Sequence, residues 1–314
     1  MGYWDGALYA GDFAMDLRAT VAAVSKLPFD ADRLVEIICE TEPAAAADPA
    51  DEDHPAFWLV VADQFARRGI VSTRAREMAL QVIDGGLDID TQSRLGQSAT
   101  GLAKRSRMLE QLRERIAHPA AVRPSRTVMR EPERFVMDIG DTLVYPLCNR
   151  KPLNAYIASR RKQVTYGPAG PQPWTQDAWG AIVIAERGHA FGFYAWYRPL
   201  IILEPHVHKP DVESIKGEDL RLERPGNCPR VQFARMGLEK IGCFDIDLVR
   251  FHEAFPGLRP GDRYAIADIS IGNRLHIPHS GPMAVRRPPY DTVVRIGRLC
   301  IDGCQRERPI GRVT

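Results

Sequence analysis

His206 and His208 are two residues apart, and Asp211 follows them. Spacing of two puts side chains on one face of a strand. His276 and His279 are three apart around Pro278. Two imidazoles and a carboxylate can hold a divalent cation, and such a cation activates water for hydrolysis. This set supports an alternative reading as a metal-dependent hydrolase. Both histidine pairs adjoin prolines, where solvated loop histidines are the simpler outcome. Asp138 with Asp141, and Asp245 with Asp247, are carboxylate pairs of the kind used in acid–base catalysis. That chemistry needs a cleft that separates their pKa values, and turn or cap roles suit the same residues. The run Arg160-Arg161-Lys162, with Arg286-Arg287, is suited to phosphate. Trp174, Trp179, Tyr194, Trp196 and Tyr197 could stack on bases beside it. Strand aromatics alternate, so half of them face a core, and nucleic acid is not the expected partner.

Other motifs are missing from the chain. It has no Gly-rich phosphate loop ending in Gly-Lys-Ser or Gly-Lys-Thr and no Gly-x-Gly-x-x-Gly after a strand. It has no Gly-x-Ser-x-Gly elbow and no His-Glu-x-x-His. The short-motif routes to nucleotide binding, hydride transfer, ester hydrolysis and zinc proteolysis are therefore closed. Cys300 and Cys304 are four apart, but no second cysteine pair completes a zinc site. No catalytic residue and no cofactor is assigned.

The 314 residues are 45% hydrophobic and 26% charged, as in ordinary globular proteins. Length alone suggests two domains. No apolar run reaches the ~18 residues of a membrane span. Asp5 and the lack of a basic-then-apolar start argue against a secretory signal. Six scattered cysteines do not make a disulfide scaffold, so a reducing cytoplasm is the expected compartment.

The period of the sequence changes along the chain. Helices are predicted over Asp12–Ser25, Phe29–Glu40 with Asp30 as N-cap, Pro55–Arg68, Ser72–Ile83 and Asp90–Ala117. Thr41–Asp53 reads as a loop. Phe57 and Trp58 are expected in a core. Residues 124–132 read as a Pro- and Arg-bearing linker. Beyond them, strands are predicted over Asp141–Leu147, Ala178–Glu186, Ala190–Tyr197, Pro199–Leu203, Val231–Ala234, Arg263–Ile269 and Thr292–Leu299. The second and third of these form a hairpin broken at Gly188. Asp245–Phe255 is the one helix expected there. The expected fold is α+β: an all-α domain over 1–123, then a mostly antiparallel β domain over 133–314. The second domain is a barrel or a curved sheet with one or two helices.

Charge divides unevenly. Residues 1–63 hold 3 Lys and Arg against 13 Asp and Glu. An acidic face including Asp51, Glu52 and Asp53 would steer a basic partner. Trp174, Trp179 and Trp196 are candidate anchors on the β side.

Two segments resemble known families. Met1-Gly2-Tyr3-Trp4-Asp5-Gly6 and Gly11-Asp12-Phe13-Ala14-Met15-Asp16 are similar to the opening of domain of unknown function 4259, a bacterial family. Asp51-Glu52-Asp53-His54-Pro55-Ala56-Phe57-Trp58 resembles a segment of related chains. This likeness covers about the first 120 residues and implies no activity. Ile139-Gly140-Asp141-Thr142-Leu143-Val144-Tyr145-Pro146-Leu147, then Trp179-Gly180-Ala181-Ile182-Val183-Ile184, resembles the start of the immunity protein 26 family. The stretch from Cys148 to Trp174 is extra to that pattern. The resemblance implies a β-rich antidote to a bacterial toxin that acts by stoichiometric protein binding, without turnover.

Overall fold

The computed structural model describes residues 6–118, 126–258 and 292–301. They fall into two units, one running to Glu131 and the other starting at Pro132.

In the first unit the helices are α1 (Asp12–Val24), α2 (Ala31–Thr41), α3 (Pro43–Ala47), α4 (His54–Arg67), α5 (Thr73–Asp84), α6 (Leu87–Arg94) and α7 (Ala99–Ala117). The starts of α2, α5 and α7 follow from side-chain capping. Asp30 accepts from Arg33 N at 2.8 Å, and Ser72 accepts from Ala75 N at 3.2 Å. Helix α4 is the centre of the unit, with every residue from His54 to Phe65 buried. Phe57 and Trp58 pack edge to face there, with ring centroids 5.0 Å apart. Each large side chain so enclosed contributes about 1.5–3 kcal/mol. Arg105 of α7 is buried against Asp88 of α6, through Nε–Oδ2 and Nη2–Oδ1 contacts both of 2.8 Å. Its Nη1 donates to the Ala7 carbonyl at 2.7 Å.

Two expectations need correction. The Thr41–Asp53 segment is not all loop, because Pro43 starts α3 and four alanines propagate it. The single helix expected over Asp90–Ala117 is two helices. Gly96 adopts φ +82°, and Ser98 then caps α7 by accepting from Gly101 N at 3.2 Å.

In the second unit the strands are β1 (Asp141–Cys148), β2 (Lys151–Pro152), β3 (Val164–Gly167), β4 (Gly170–Pro173), β5 (Ala178–Ala190), β6 (Tyr194–Ile202), β7 (Asp219–Leu222), β8 (Glu239–Cys243) and β9 (Val293–Arg295). The main sheet runs β2-β1-β5-β6-β7-β9, and β8 shares the β2 edge of β1. All its pairings are antiparallel. Among the described residues the sheet is open and not closed into a barrel, which leaves the curved sheet of the two expected forms: there the β9 edge does not pair with the β2 and β8 edge. Strands β3 and β4 form a separate hairpin.

Side-chain alternation explains the apolar runs of the sheet. Ala181, Val183 and Ala185 join one core cluster with Leu200, Phe251 and Phe255. Ile182 and Ile184 join the other with Tyr145, Tyr197 and Met236. Both faces are therefore covered. Gly140 makes the turn into β1 at φ +85°, and a Cβ there would lie 1.9 Å from the Phe244 carbonyl oxygen.

Three short helices occur among the described residues of this unit, where one or two were expected: α8 (Val212–Lys216), α9 (Arg230–Arg235) and α10 (Leu248–Ala254). Helix α9 replaces the strand expected over Val231–Ala234. The hairpin turn lies at 191–193, between β5 and β6, and not at Gly188. Gly188 lies under the Trp196 indole, where a Cβ would come within 2.8 Å of Cζ2. The strand expected over Arg263–Ile269 lies outside the described residues. No helix among the described residues is long and apolar enough to cross a membrane.

Candidate functional site

Between β1 and β5 the chain leaves the sheet for a long excursion. Residues 149–176 contain Arg150, Lys151, Arg160, Arg161 and Lys162 and no Asp or Glu. Asn149 and Arg150 both have positive φ, 49° and 63°, so they form a tight primed turn between β1 and β2. Asp177 closes the neck. Its carboxylate accepts from Asn149 N at 2.7 Å, and its own N–H donates to the Leu147 carbonyl at 2.9 Å.

Inside the excursion the organising residue is Gln163, only 3% exposed. Its Oε1 accepts from Asn154 N at 2.9 Å. Its Nε2 donates to the carbonyls of Asn154 at 2.9 Å and Ile157 at 3.2 Å. Its backbone carbonyl accepts from Trp174 N at 3.1 Å. One amide thus ties the start, middle and end of the excursion together.

The alternation of β3 is inverted relative to an ordinary surface hairpin. Gln163 and Thr165 are buried, while Val164 is 47% and Tyr166 68% exposed. Cross-strand, Val164 faces Pro173 and Tyr166 faces Pro171, both exposed. The outer surface is therefore an apolar and aromatic strip. Tyr156 is also exposed, at 70%. Arg160, Arg161 and Lys162 form a short 3-10 turn just before β3 and lie in solvent. None of these three is in an ion pair among the described residues. Pro171 and Pro173 lack the N–H groups that strand addition on the β4 edge would use. Recognition at this strip would run through side chains.

Other expected residues fall elsewhere. Trp174 is half-buried at the end of the hairpin. Trp179 is half-buried on β5, with Lys209 Nζ 5.7 Å from its ring. Trp196 is 1% exposed, and an anchor needs an open face, so this expectation is corrected: its indole is core. The described members of the metal set, His206, His208 and Asp211, do not come together. Asp211 Oδ1 caps α8, accepting from Ser214 N at 2.9 Å and Ser214 Oγ at 2.7 Å, and these bonds lower its pKa. His206 faces Glu218 at 3.5 Å, and His208 is exposed. His276 and His279 lie outside the described residues. Among the described residues no group of three His, Cys, Asp or Glu is placed to hold a metal ion.

The acidic residues of the first unit do gather. Burial first, then Asp53, Asp16 and Asp51, raise the pKa of Glu42. Burial first, then Asp51 and Glu52, raise that of Asp53. Part of this crowding is local turn chemistry, since Asp51 Oδ1 accepts from Asp53 N at 2.8 Å.

Tyr156, Val164 and Tyr166 were missed from sequence. Their signal was the 28-residue stretch without a carboxylate, with an apolar residue at every second position of β3. Compared with family models, curated proteins and solved structures, the chain matches none.

Proposed function

We propose that the protein acts by stoichiometric binding to another protein and that the 149–176 excursion is its contact surface. The carrying observation is the inverted β3, with Tyr166 and Val164 outward and Gln163 inward. An apolar strip held in water costs stability, and such strips mark interaction sites. Tyr and Arg are also the residues that concentrate binding energy at interfaces. The surplus of cations fits an acidic patch on the partner and speeds encounter. This reading agrees with the antidote role that the immunity protein 26 resemblance implies.

A second reading rests on the raised pKa values of Glu42 and Asp53. There the partner is a basic, toxin-like protein that meets Asp51, Glu52 and Asp53 and relieves their mutual repulsion.

The two readings separate in a co-purification from the native host. The full chain is compared with Val164→Ser/Tyr166→Ser, with Arg161→Glu/Lys162→Glu, and with Glu52→Gln/Asp53→Asn. The first reading expects one protein in equal molar amount, lost from the first two variants and kept by the third. Loss only from the third favours the acidic face. Nucleic acid in the eluate, with no protein dependent on any of these residues, contradicts both.

A further inference from the structure

The helical unit contains a second charged constellation, remote in chemistry from the hairpin and independent of it. Asp63 of α4 is 0% exposed. Four side chains converge on its carboxylate. The Tyr9 hydroxyl donates to Oδ2, and Arg67 Nε approaches the same oxygen at 2.7 Å. Gln64 Nε2 lies 3.3 Å from Oδ2, and Arg115 Nη2 of α7 donates to Oδ1. Gln64 in turn holds Arg68, whose Nη1 lies 2.5 Å from Gln64 Oε1 and 3.1 Å from its carbonyl oxygen. Arg18 of α1 lies over the Tyr9 ring, 4.9 Å from its centroid.

Tyr9, Arg18, Gln64, Arg67 and Arg68 line an open depression of about 520 Å³. Two guanidinium groups, of Arg67 and Arg115, hold the Asp63 carboxylate, and those of Arg18 and Arg68 join Arg67 in lining the depression. Among the described residues neither Arg18 nor Arg68 is paired with an acidic side chain. Burial holds the Arg68 pKa below the usual range; Arg18 and Arg67 push it the same way, while Tyr9 and Asp63 oppose them. Structural ion pairs neutralise one another, whereas this cluster keeps a surplus of positive charge that repels itself.

We propose that this depression binds the phosphate dianion of a small phosphate ester, with Arg18, Arg67 and Arg68 as donors. Asp63 is a positioning residue: it fixes the direction of Arg67 and Arg115 and removes one unit of charge. Guanidinium groups recognise phosphate through paired, charge-assisted N–H donors. Three of them lining one depression suit a tetrahedral group with two charges better than a single carboxylate. The volume leaves room for the organic part of the ester.

The test is calorimetric titration of the full chain with inorganic phosphate and with a nucleoside monophosphate, with ionic strength held constant by chloride. The expected result is saturable binding at one site. Acetate should bind at least about tenfold more weakly, and Arg18→Gln should weaken phosphate binding by a similar factor. Arg18 is exposed on α1, so its replacement leaves the fold intact. Arg113→Gln, on the far end of a surface pair with Asp84, serves as the charge-matched control and should bind as the parent does. Absence of saturable binding overturns the proposal. So does an equal loss in Arg18→Gln and Arg113→Gln, or acetate binding as tightly as phosphate.

Discussion

Gln163→Ala is the change that most directly probes how the 149–176 excursion is held. The substitution removes three side-chain hydrogen bonds, to Asn154 N, Asn154 O and Ile157 O. Leaving a buried partner unsatisfied costs about 1–3 kcal/mol. Asn154 is exposed, however, so water replaces part of what is lost. A local loss of about 2–3 kcal/mol follows, or about a 30- to 150-fold rise in the opening equilibrium of the excursion. Amide hydrogen exchange with residue-level readout measures this. The amides of Asn154 and Trp174 should lose protection by that factor. Those of β5 and β6 should keep theirs, because no bond of Gln163 reaches the sheet. Gln163→Glu should be at least as damaging, since it loses both donated bonds and sets a buried carboxylate oxygen against the Asn154 and Ile157 carbonyls. Equal loss of protection in β5 and β6 would refute the reasoning, because the excursion would then be part of the sheet's cooperative unit. Unchanged exchange at Asn154 and Trp174 would refute it too.

Other outcomes follow from the same geometry. Arg105→Ala strands the buried Asp88 carboxylate and should cost about 3–5 kcal/mol, read from urea unfolding of the helical unit. The double change Arg105→Met/Asp88→Leu should recover most of that loss, as paired removal of buried charges does. Gly140→Ala forces a Cβ to 1.9 Å from the Phe244 oxygen at a positive φ, and should destabilise the β unit by roughly 2–4 kcal/mol in urea. Asp53→Asn should stabilise the helical unit at neutral pH by about 0.5 kcal/mol, a small value because the group is only half-buried and water screens it. Its folded-state pKa is raised, so the gain should disappear as pH falls below the ordinary carboxylate range, where the parent is protonated as well. Burial and then the bond to Asp63 push the Tyr9 pKa up to about 12. The stability that its neutral form provides is complete below the ordinary tyrosine value and lost as pH rises towards about 12, which tyrosinate absorbance and circular dichroism recorded together would show.

Much of the helical unit is legible in the sequence because helix starts are local. Asp30 and Ser72 cap where their side chains and the following apolar spacing place them. The break between α6 and α7 is local as well, but Gly96 and Ser98 sit inside a continuous charged pattern that masks the stop. In the β unit the apolar runs identify strands, yet registry and closure are non-local. Nothing in one strand tells that β2 and β8 divide an edge of β1 and leave the sheet open. Helix α9 reads as strand because Val231 and Phe233 favour strands, and tertiary packing overrides that preference. Phe233 rests on the second core cluster while Val231 stays 62% exposed.

The candidate site was partly legible. Arg160, Arg161 and Lys162 stand out by charge alone. The tryptophans drew attention by size, and Trp196 went instead to the core, under which Gly188 leaves room for its indole. Tyr166 was missed because an aromatic in a strand is ordinarily assigned inward; Tyr156 lies in a turn, with no pattern to mark it. Only the buried Gln163 amide reveals which way β3 faces. The cage around Asp63 joins Tyr9, α4 and α7, and contacts 52 to 55 residues apart in sequence leave no local trace.

The central claim is that a protein partner docks on the outer face of β3. A photo-crosslinking amino acid placed at position 166, and separately at the exposed Val71 of the helical unit, tests it in the native host. The account predicts one protein adduct from position 166, abolished by Arg161→Glu/Lys162→Glu, and none of that mass from position 71. An adduct from position 71 alone, or nucleic acid as the crosslinked species at position 166, would contradict it.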